Sequence, residues 1–433
     1  MKNFFAKTVP DSFRFSALDK RQNNAEKTVN FSVWPVIFSF CLSVWVIFEI
    51  GLCRLGFGAD TDAWLMARSA ALIRDGLGYD PARSLGNPLW EYLLVILQPS
   101  GQFFLSNIFS LVLALIFFFR FCEHVPAWPL WQRWVFRLLF CLLPVFSEAA
   151  SSSMESMASL LLFSETLLAF RQDKTRLFVL LSLLLSFMRL EMFLFLMFTV
   201  LREHPRKWHL FLLPVVLMVP YLAWVAGKNP APFYGIADGL HFYAGRIWFL
   251  IQQAGLLLPV YLVLLFFALK GSRESWGKAG QAASIFFLLF PFEWAYAFPA
   301  FFSGALSLVP LLEKGKVWWQ LTILAFASLA SIRVSEMSGL TGIYQCRRQM
   351  LRQYQWASSW KPAGESLIMD AATWLTLDYR NWESSKSKRL FHKKGTLLYT
   401  GERLSVAELD SLQNAGFHIF RFSRRSDELL KPY

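Results

Sequence analysis

The amino-acid sequence predicts an α-helical polytopic membrane protein with a small α/β domain at its C-terminus. Three observations support this prediction. More than half of the 433 residues are apolar, only 17% are charged, and long apolar runs recur up to about residue 332, after which the composition becomes mixed. A soluble protein of this length needs a more highly charged surface, so these features exclude a single large soluble core.

The N-terminal tail, residues 1–30, is polar and basic, and no small-residue cleavage site follows the first apolar run. We therefore expect an uncleaved transmembrane span at residues 33–55 rather than a signal peptide, since about 20 apolar residues cross the hydrocarbon layer. Ten further apolar runs follow, which makes about eleven segments within a membrane domain at residues 31–332. They lie at 103–121, 134–147, 156–170, 177–188, 191–201, 208–226, 247–269, 282–296, 298–312 and 317–332.

The charge pattern predicts the orientation in the membrane. Basic residues cluster in every second connection, for example at 171–176, 202–207 and 270–278. By the positive-inside rule these connections and the N-terminus are cytoplasmic, and an odd number of spans places the C-terminus outside. Topology and anionic membrane lipid account for the net charge of +13, so nucleic acid is not an expected partner. We expect an integral protein of the bacterial inner (plasma) membrane.

Residues 333–433 are predicted to form an extracytoplasmic α/β domain. Strand-like stretches lie at 365–370, 396–401 and 417–422, and the segment between the last two begins with the capping box that is typical of a helix start. No phosphate-binding glycine loop is present in this part of the sequence. A structural or acceptor-docking role is therefore favoured over a catalytic one.

The first outer loop, residues 57–102, is rich in charged residues. Its stretch "DAWLMARSAALIRDG" has apolar residues at helical spacing, and "PLWEYLLVIL" is an apolar segment too short to span, so two helices along the membrane surface are expected. Asp60 and Asp62 lie at the start of the first helix. Helix capping explains one acid at this place, whereas two acids also indicate chemistry at the membrane surface.

Other polar residues are predicted to lie near the same outer surface, where charges are costly and are usually paired or functional. The candidates for binding a donor phosphate or an acceptor are Arg83, Glu91, Glu155, Arg189, Glu191, Tyr234 and Arg246. We expect them to converge on one rim with Asp60 and Asp62, although a pair of Arg189 with Glu191 also has a purely structural explanation. Glu293 is interpreted as lying within a span, with no role beyond an interhelical hydrogen bond.

Taken in order, these motifs resemble those of a known family. The acid pair in "ADTDAW", the following "ARSLGNPLWE", an outer "MES" and an outer "RLE" are similar to motifs of the GT-C superfamily of polytopic glycosyltransferases. Similar layouts occur in the protein O-mannosyltransferases, the lipid A aminoarabinose transferases and the arabinofuranosyltransferases. The resemblance covers about residues 30–335, with two departures: Leu190 replaces the proline of "RPE", and Thr61 separates the two acids.

The resemblance implies an inverting transfer of a sugar from a polyprenyl-phosphate donor to a glycan, lipid or protein acceptor on the outer face of the membrane. This activity would serve glycan biosynthesis in the cell envelope. Asp60 would act as general base and Asp62 would orient the acceptor. Arg83, Arg189 or Arg246 would stabilise the leaving phosphate. The departure at Thr61 leaves open which of the two acids is the base.

Two alternatives stay open at the level of the sequence. The Asp-x-Asp spacing can also hold a divalent cation against phosphate, but two carboxylates are a small ligand set, so no definite cofactor is predicted. The rival function is a transporter or flippase for a lipid-linked or anionic substrate. It requires ionisable groups along a path through the bundle, whereas those of this sequence concentrate at the outer rim.

Overall fold

The structure is a computed structural model. It describes residues 33–82, 86–99, 102–228, 239–270, 275–291, 293–314, 317–333, 338–359, 366–370, 382–384, 395–399, 407, 410, 414, 418–421 and 431–432. The predicted N-terminal tail, residues 1–30, lies outside these residues.

The described chain is mainly helical. Its α-helices are α1 (Val33–Cys53), α2 (Thr61–Arg74), α3 (Pro88–Leu97), α4 (Phe104–Arg120), α5 (Leu130–Cys141), α6 (Pro144–Ser151), α7 (Ser156–Arg171), α8 (Thr175–Met188), α9 (Leu190–Glu203), α10 (Leu212–Lys228), α11 (Gly239–Ala254), α12 (Leu258–Lys270), α13 (Ser275–Leu289), α14 (Phe298–Leu308), α15 (Val317–Ala330) and α16 (Gly339–Ser359). Short 3₁₀ turns extend several of them, including one at Trp294–Ala297 before α14.

The expected count of eleven spans is not confirmed. Among the described residues, five helical stretches are long and apolar enough to cross a membrane, and a sixth arises if α5 and α6, bent by 81°, form one span. The five stretches are Val36–Cys53, Phe104–His124, Pro205–Val225, Tyr243–Lys270 and Trp294–Leu311. Other predicted segments are shorter: α8 has 14 residues, which is about 21 Å of helix against a hydrocarbon layer of about 30 Å.

The two helices predicted in the first outer loop are present as α2 and α3. Both begin as expected, α2 after Asp60 and α3 with Pro88 in its first turn. More than half of the residues of α2 are buried, because this helix packs against α3 and the bundle rather than lying free. The two helices of this loop are therefore packed into the protein.

Buried hydrogen bonds hold the chain between α1 and α2. The Asn107 amide nitrogen donates to the carbonyl oxygens of Cys53 (3.1 Å) and Gly56 (2.7 Å), and its amide oxygen accepts from the Ser153 hydroxyl (2.7 Å). The Ser153 backbone N–H donates to the Phe57 carbonyl oxygen at 2.7 Å. Because unpaired polar groups are costly in an apolar interior, these bonds fix the path of the segment that leads to Asp60.

Aromatic side chains fill the centre of the bundle. Phe302 on α14 stacks on Phe140 with ring centroids 4.1 Å apart and meets Phe117 edge to face at 4.7 Å. Phe136 and Phe121 stack at 4.7 Å beside them. These rings join α4, α5 and α14 into one buried cluster. Offset and edge-to-face contacts of this kind stabilise beyond the area that they bury.

Small residues allow α12, α13 and α14 to approach closely. A Cβ atom on Gly304 of α14 would lie 2.1 Å from the Leu264 carbonyl oxygen of α12, and one on Gly280 of α13 would lie 2.2 Å from the Ser303 Cβ atom. Helices in membranes commonly pack through such small residues, because backbone contact replaces the missing hydrophobic driving force.

The C-terminal segment contains a five-stranded sheet. Its strands are β1 (Ser366–Asp370), β2 (Trp382–Ser384), β3 (Gly395–Tyr399), β4 (His418–Arg421) and β5 (Lys431–Pro432), in the order β2-β1-β3-β4-β5. All neighbours are parallel except β4 with β5. Strands β1, β3 and β4 overlap the three stretches that were predicted as strands. A separate α/β domain outside the cytoplasm stays a prediction.

Helix α16 lies after the predicted end of the membrane domain at residue 332, yet it packs against α15 and α6 of the bundle. The charged composition beyond residue 332 concealed this contact, since a helix can bury one face while its other face remains polar. Its residues reach the segment before Asp60, as described below.

The close packing at Gly304 makes a testable prediction. Gly304→Ala should lower the free energy of unfolding by about 1–3 kcal/mol, because the added methyl group meets backbone rather than a movable side chain. The measurement is the midpoint of thermal unfolding of the purified protein in detergent. Gly245→Ala is the matched control, since Gly245 lies on helix α11 with open space at its Cβ position. Equal midpoints for the two variants would contradict the packing described here.

Candidate functional site

Asp60 is held at the start of α2 by its own side chain. It is the N-cap residue, with extended backbone angles of φ −84° and ψ 135°, and its Oδ1 atom accepts a hydrogen bond from the Asp62 backbone N–H at 2.9 Å. The capping role considered at the sequence level is therefore present. One carboxylate oxygen is engaged by the cap, and the partly exposed carboxylate also faces a cavity.

Glu293 joins the two aspartates. Carboxylate oxygens of Asp60, Asp62 and Glu293 all lie within 4.8 Å of one another, and all three residues are partly exposed. The expectation that Glu293 lies inside a span is wrong, because α13 ends at Leu289 and Glu293 has extended backbone angles of φ −152° and ψ 148° before the next turn. Pro291, two residues earlier, was the available signal, since proline ends helices.

A cavity opens beside this group of carboxylates. About 580 Å³ of empty space, open solvent at its mouth included, lies within it. Acidic side chains, small polar groups and aromatic rings all contribute to its wall. The lining residues are Asp60, Pro144, Val145, Glu148, Ala149, Met154, Ser156, Gln253, Tyr261, Glu293, Trp294, Ala295 and Ile343. They come from the first outer loop, α6, α7, α11, α12, α16 and the turn before α14.

The sequence analysis missed Glu148 on α6, which lines the cavity, and its buried partner Arg347 on α16. The Arg347 Nη2 atom lies 2.7 Å from Glu148 Oε2. The other carboxylate oxygen, Oε1, accepts from the Ala59 backbone N–H at 2.7 Å. Glu148 lies within "FSEAAS" and Arg347 lies beyond the predicted membrane domain, so no local pattern connected the two residues.

Arg189, Glu155 and Glu191 form a buried ion cluster behind the cavity. Arg189 bonds to the Glu191 carboxylate through Nε, and its Nη1 atom lies 3.5 Å from Glu155 Oε1 and donates to the Ser156 hydroxyl at 3.2 Å. The guanidinium also lies 4.7 Å from the Tyr296 ring centroid. Arg189 is only 1% exposed. The Ser156 side chain connects this cluster to the cavity that it lines.

Glu91 on α3 is buried against the segment that ends at Ala82 and does not line the cavity. Its Oε1 atom accepts from the Ala82 backbone N–H at 2.9 Å. Helix α3 is not among the long candidate spans. Burial raises the pKa of Glu91 to about 7, and hydrogen bonds from Tyr79 and from the Ala82 N–H offset only part of that rise. In this position Glu91 fixes the chain just before residue 83.

The remaining predicted residues are not brought to the cavity wall by the described contacts. Arg83 and Tyr234 lie outside the described residues. Arg246 is half-buried on α11, about two helical turns from Gln253, which does line the cavity. Asp60 and Asp62 lie together with Glu293, whereas Glu155, Arg189 and Glu191 form a separate ion cluster. Convergence of all the predicted residues on one rim stays a prediction.

The arrangement can support two kinds of chemistry. A partly exposed carboxylate in a cavity can accept a proton from a hydroxyl group that binds there. Three carboxylates also provide a better oxygen set for a divalent cation than the two that the sequence suggested, because Glu293 joins them. Asp60 takes part in both arrangements.

The buried Glu91 carboxyl makes stability depend on pH. Its pKa in the folded protein, about 7, lies above the ordinary value of 4.5, so folding favours the protonated form. The associated stability is complete below about pH 4.5 and is lost as the pH rises through about 7, by about 3 kcal/mol at most. We expect the midpoint of thermal unfolding to fall between pH 5 and 8, and we expect Glu91→Gln to reduce that fall.

The exposed Glu123 provides a matched control, because Glu123→Gln should retain the wild-type pH dependence. The same change of the midpoint with pH in all three proteins would overturn the assignment of this pH dependence to Glu91.

Comparisons with known proteins bear on the fold. No protein-family model matches the chain, and no curated protein sequence matches it. Among solved structures, the chain is similar to the crystal structure of ArnT from Cupriavidus metallidurans bound to undecaprenyl phosphate. The TM-score is 0.51 at 13% sequence identity, and the match covers 90% of this chain and 93% of that chain. The comparison bears on the fold alone: this chain is a helical membrane protein with a fold similar to that of ArnT.

Proposed function

We propose that the protein is an inverting glycosyltransferase that moves a sugar from a polyprenyl-phosphate donor to an acceptor on the outer face of the membrane. The observation that carries the proposal is the Asp60 carboxylate, which faces a cavity in a fold similar to that of ArnT. The ArnT structure is bound to undecaprenyl phosphate, a polyprenyl phosphate of the kind that the proposed donor would release. The acceptor is a glycan, a lipid or a protein.

The reaction needs one base and one stabilised leaving group. An acceptor hydroxyl oxygen attacks the anomeric carbon of the sugar, the bond between this carbon and the phosphate oxygen breaks, and the phosphate leaves with the electron pair. Direct displacement inverts the configuration at the anomeric carbon. Asp60 takes the proton from the attacking hydroxyl, and Asp62 and Glu293 bind and orient the acceptor beside it.

The leaving phosphate requires a cation in the transition state. Arg189 is an unfavourable choice, because its guanidinium is buried and already bonded to Glu191, Glu155 and Ser156. We assign Arg189 a positioning role for Ser156 and for the turn that carries Tyr296. Arg83 and Arg246 are the proposed phosphate-binding residues, since arginine matches the geometry of phosphate.

The proposal also concerns the side of the membrane on which the cavity opens. We infer that the carboxylate cavity opens toward the outer side of the bacterial inner membrane, as the positive-inside rule predicted from the basic connections. The C-terminal sheet would then lie on the same side, where an acceptor is presented. Labelling of single introduced cysteines with a membrane-impermeant reagent tests this orientation independently of activity.

The base assignment predicts the effect of Asp60→Asn. Asparagine caps helices as well as aspartate does, so α2 should form and the protein should accumulate normally. Transfer should fall about 10² to 10⁴-fold, because the amide cannot accept the proton. The measurement is transfer of labelled sugar from polyprenyl-phosphate-sugar donors to endogenous acceptors, in membranes that contain matched amounts of each variant.

Asp75→Asn is the control for this experiment, since Asp75 is a carboxylate at the other end of the same helix and does not line the cavity. This variant should transfer sugar at the wild-type rate. Equal transfer by wild type and Asp60→Asn would remove Asp60 from the chemistry. Absence of transfer by the wild type from every donor would overturn the proposed function.

Removal of divalent cations by a chelator distinguishes a general base from a cation-binding site. A general base needs no metal, so transfer should persist after divalent cations are removed with EDTA. If Asp60, Asp62 and Glu293 act by holding a cation against the donor phosphate, EDTA should abolish transfer, and added Mg²⁺ or Mn²⁺ should restore it in the wild type. Glu293→Gln should then raise the Mg²⁺ concentration that is needed for half-maximal transfer.

A further inference from the structure

We propose that Arg347 is a positioning residue for the Asp60 carboxylate, acting through Glu148 and the backbone of Ala59. The inference rests on the proposed function, because it concerns the placement of the same base. It adds a part of the chain that the sequence assigned to the C-terminal region.

Arg347 reaches three separate places in the bundle. Its side chain is fully buried. The Nη1 atom donates to the carbonyl oxygens of Leu52 at 3.2 Å and Ser151 at 2.8 Å, and the Nη2 atom donates to the Glu148 carbonyl oxygen at 3.1 Å. Nε and Nη2 meet Glu148 Oε2 at 2.9 and 2.7 Å. Arg347 therefore joins the end of α1 to both the backbone and the side chain of α6.

Glu148 transmits this contact to the residue before Asp60. Its two carboxylate oxygens have different partners. Oε2 accepts from Arg347, and Oε1 accepts from the Ala59 backbone N–H at 2.7 Å. The neighbouring Gly58 is required for this approach, since a Cβ atom there would lie 2.9 Å from Glu148 Oε1. Without Arg347, the Glu148 carboxylate would lose the cation that holds it in this orientation.

One face of α16 contacts the first outer loop along its length. Ile343 packs with Leu52 and Ala59 in a buried cluster, and it also lines the cavity. Three helical turns further on, the Tyr354 ring lies 5.3 Å from that of Trp64. The contact at Arg347 is therefore part of a continuous interface rather than an isolated pair.

Burying an arginine here has a desolvation cost that packing alone would not require. Removing two charges from water is costly, and apolar residues of similar volume often stabilise a protein as well or better. A guanidinium instead places several acceptors at fixed directions, which is how planar donors determine geometry. The structure thus favours a role in orientation, because an error of about 1 Å in a reacting group can cost about 100-fold in rate.

The first test measures the placement without using activity. Hydrogen exchange of the segment 56–62 is followed by mass spectrometry on the purified full-length protein in nanodiscs, for wild type, Arg347→Gln, Arg347→Lys and Arg348→Gln. Arg348 is the matched control, since it is the next residue on the same helix and is exposed. Arg347→Gln should increase exchange in segment 56–62 and leave the cores of α4 and α14 unchanged, whereas Arg348→Gln should behave as wild type.

The second test uses transfer from the polyprenyl-phosphate-sugar donor on which the wild type is active. Arg347→Gln should lower kcat about 100-fold with little change in KM for the donor, since the base is displaced while the donor site remains. Arg347→Lys keeps the charge and should recover part of kcat. The double variant Glu148→Gln with Arg347→Met removes both charges, so it should fold even if a single variant does not, and its kcat should stay low.

Two results overturn the inference: unchanged exchange of segment 56–62 in Arg347→Gln, or an increase spread evenly over the bundle, which would indicate a purely structural role. Normal kcat in the double variant also overturns it. If the wild type transfers sugar from no donor, the proposed function fails, while the exchange experiment still decides whether Arg347 positions the segment before Asp60.

Discussion

A polar or charged group inside an apolar helix bundle must find its partner within the protein, because lipid offers none. This constraint organises the first outer loop. Asn107 and Ser153 satisfy the backbone between α1 and α2, and the Arg347–Glu148 pair satisfies the Ala59 N–H just before Asp60. Each hydrogen bond contributes little net free energy to folding, but leaving any of these buried groups unpaired would destabilise the protein. These bonds therefore fix the path of the segment that leads to Asp60.

The acidic residues near the cavity divide into two groups by their surroundings. Glu155 and Glu191 are committed to the buried Arg189, and Glu91 holds the Ala82 backbone. The three carboxylates Asp60, Asp62 and Glu293 are partly exposed and lie close together at the cavity. Only groups of the second kind can exchange a partner for a ligand without leaving a buried charge behind. This distinction is the reason to place the chemistry on Asp60 rather than on the ion cluster.

The fold is shared with ArnT at 13% identity. Such a low identity is compatible with a shared fold, since apolar cores tolerate many substitutions if volume and pattern are kept. Sites are less tolerant, because their chemistry depends on particular groups at particular distances. The sugar and the acceptor therefore have to be determined from this chain's own cavity and from transfer experiments, and not from the fold.

The sequence was enough to predict the membrane character, the two helices of the first outer loop, the positions of three strands, and Asp60 and Asp62 as candidate site residues. These features depend on local composition and spacing, which can be read along the chain. The tertiary structure decided which apolar runs become long helices, that Glu293 joins the aspartates, and that Arg189 is enclosed by two carboxylates. It also decided that Arg347 pairs with Glu148, which lies 199 residues away in the sequence. Partnerships over such separations leave no local pattern, because the groups meet only when the helices pack and their burial makes pairing obligatory.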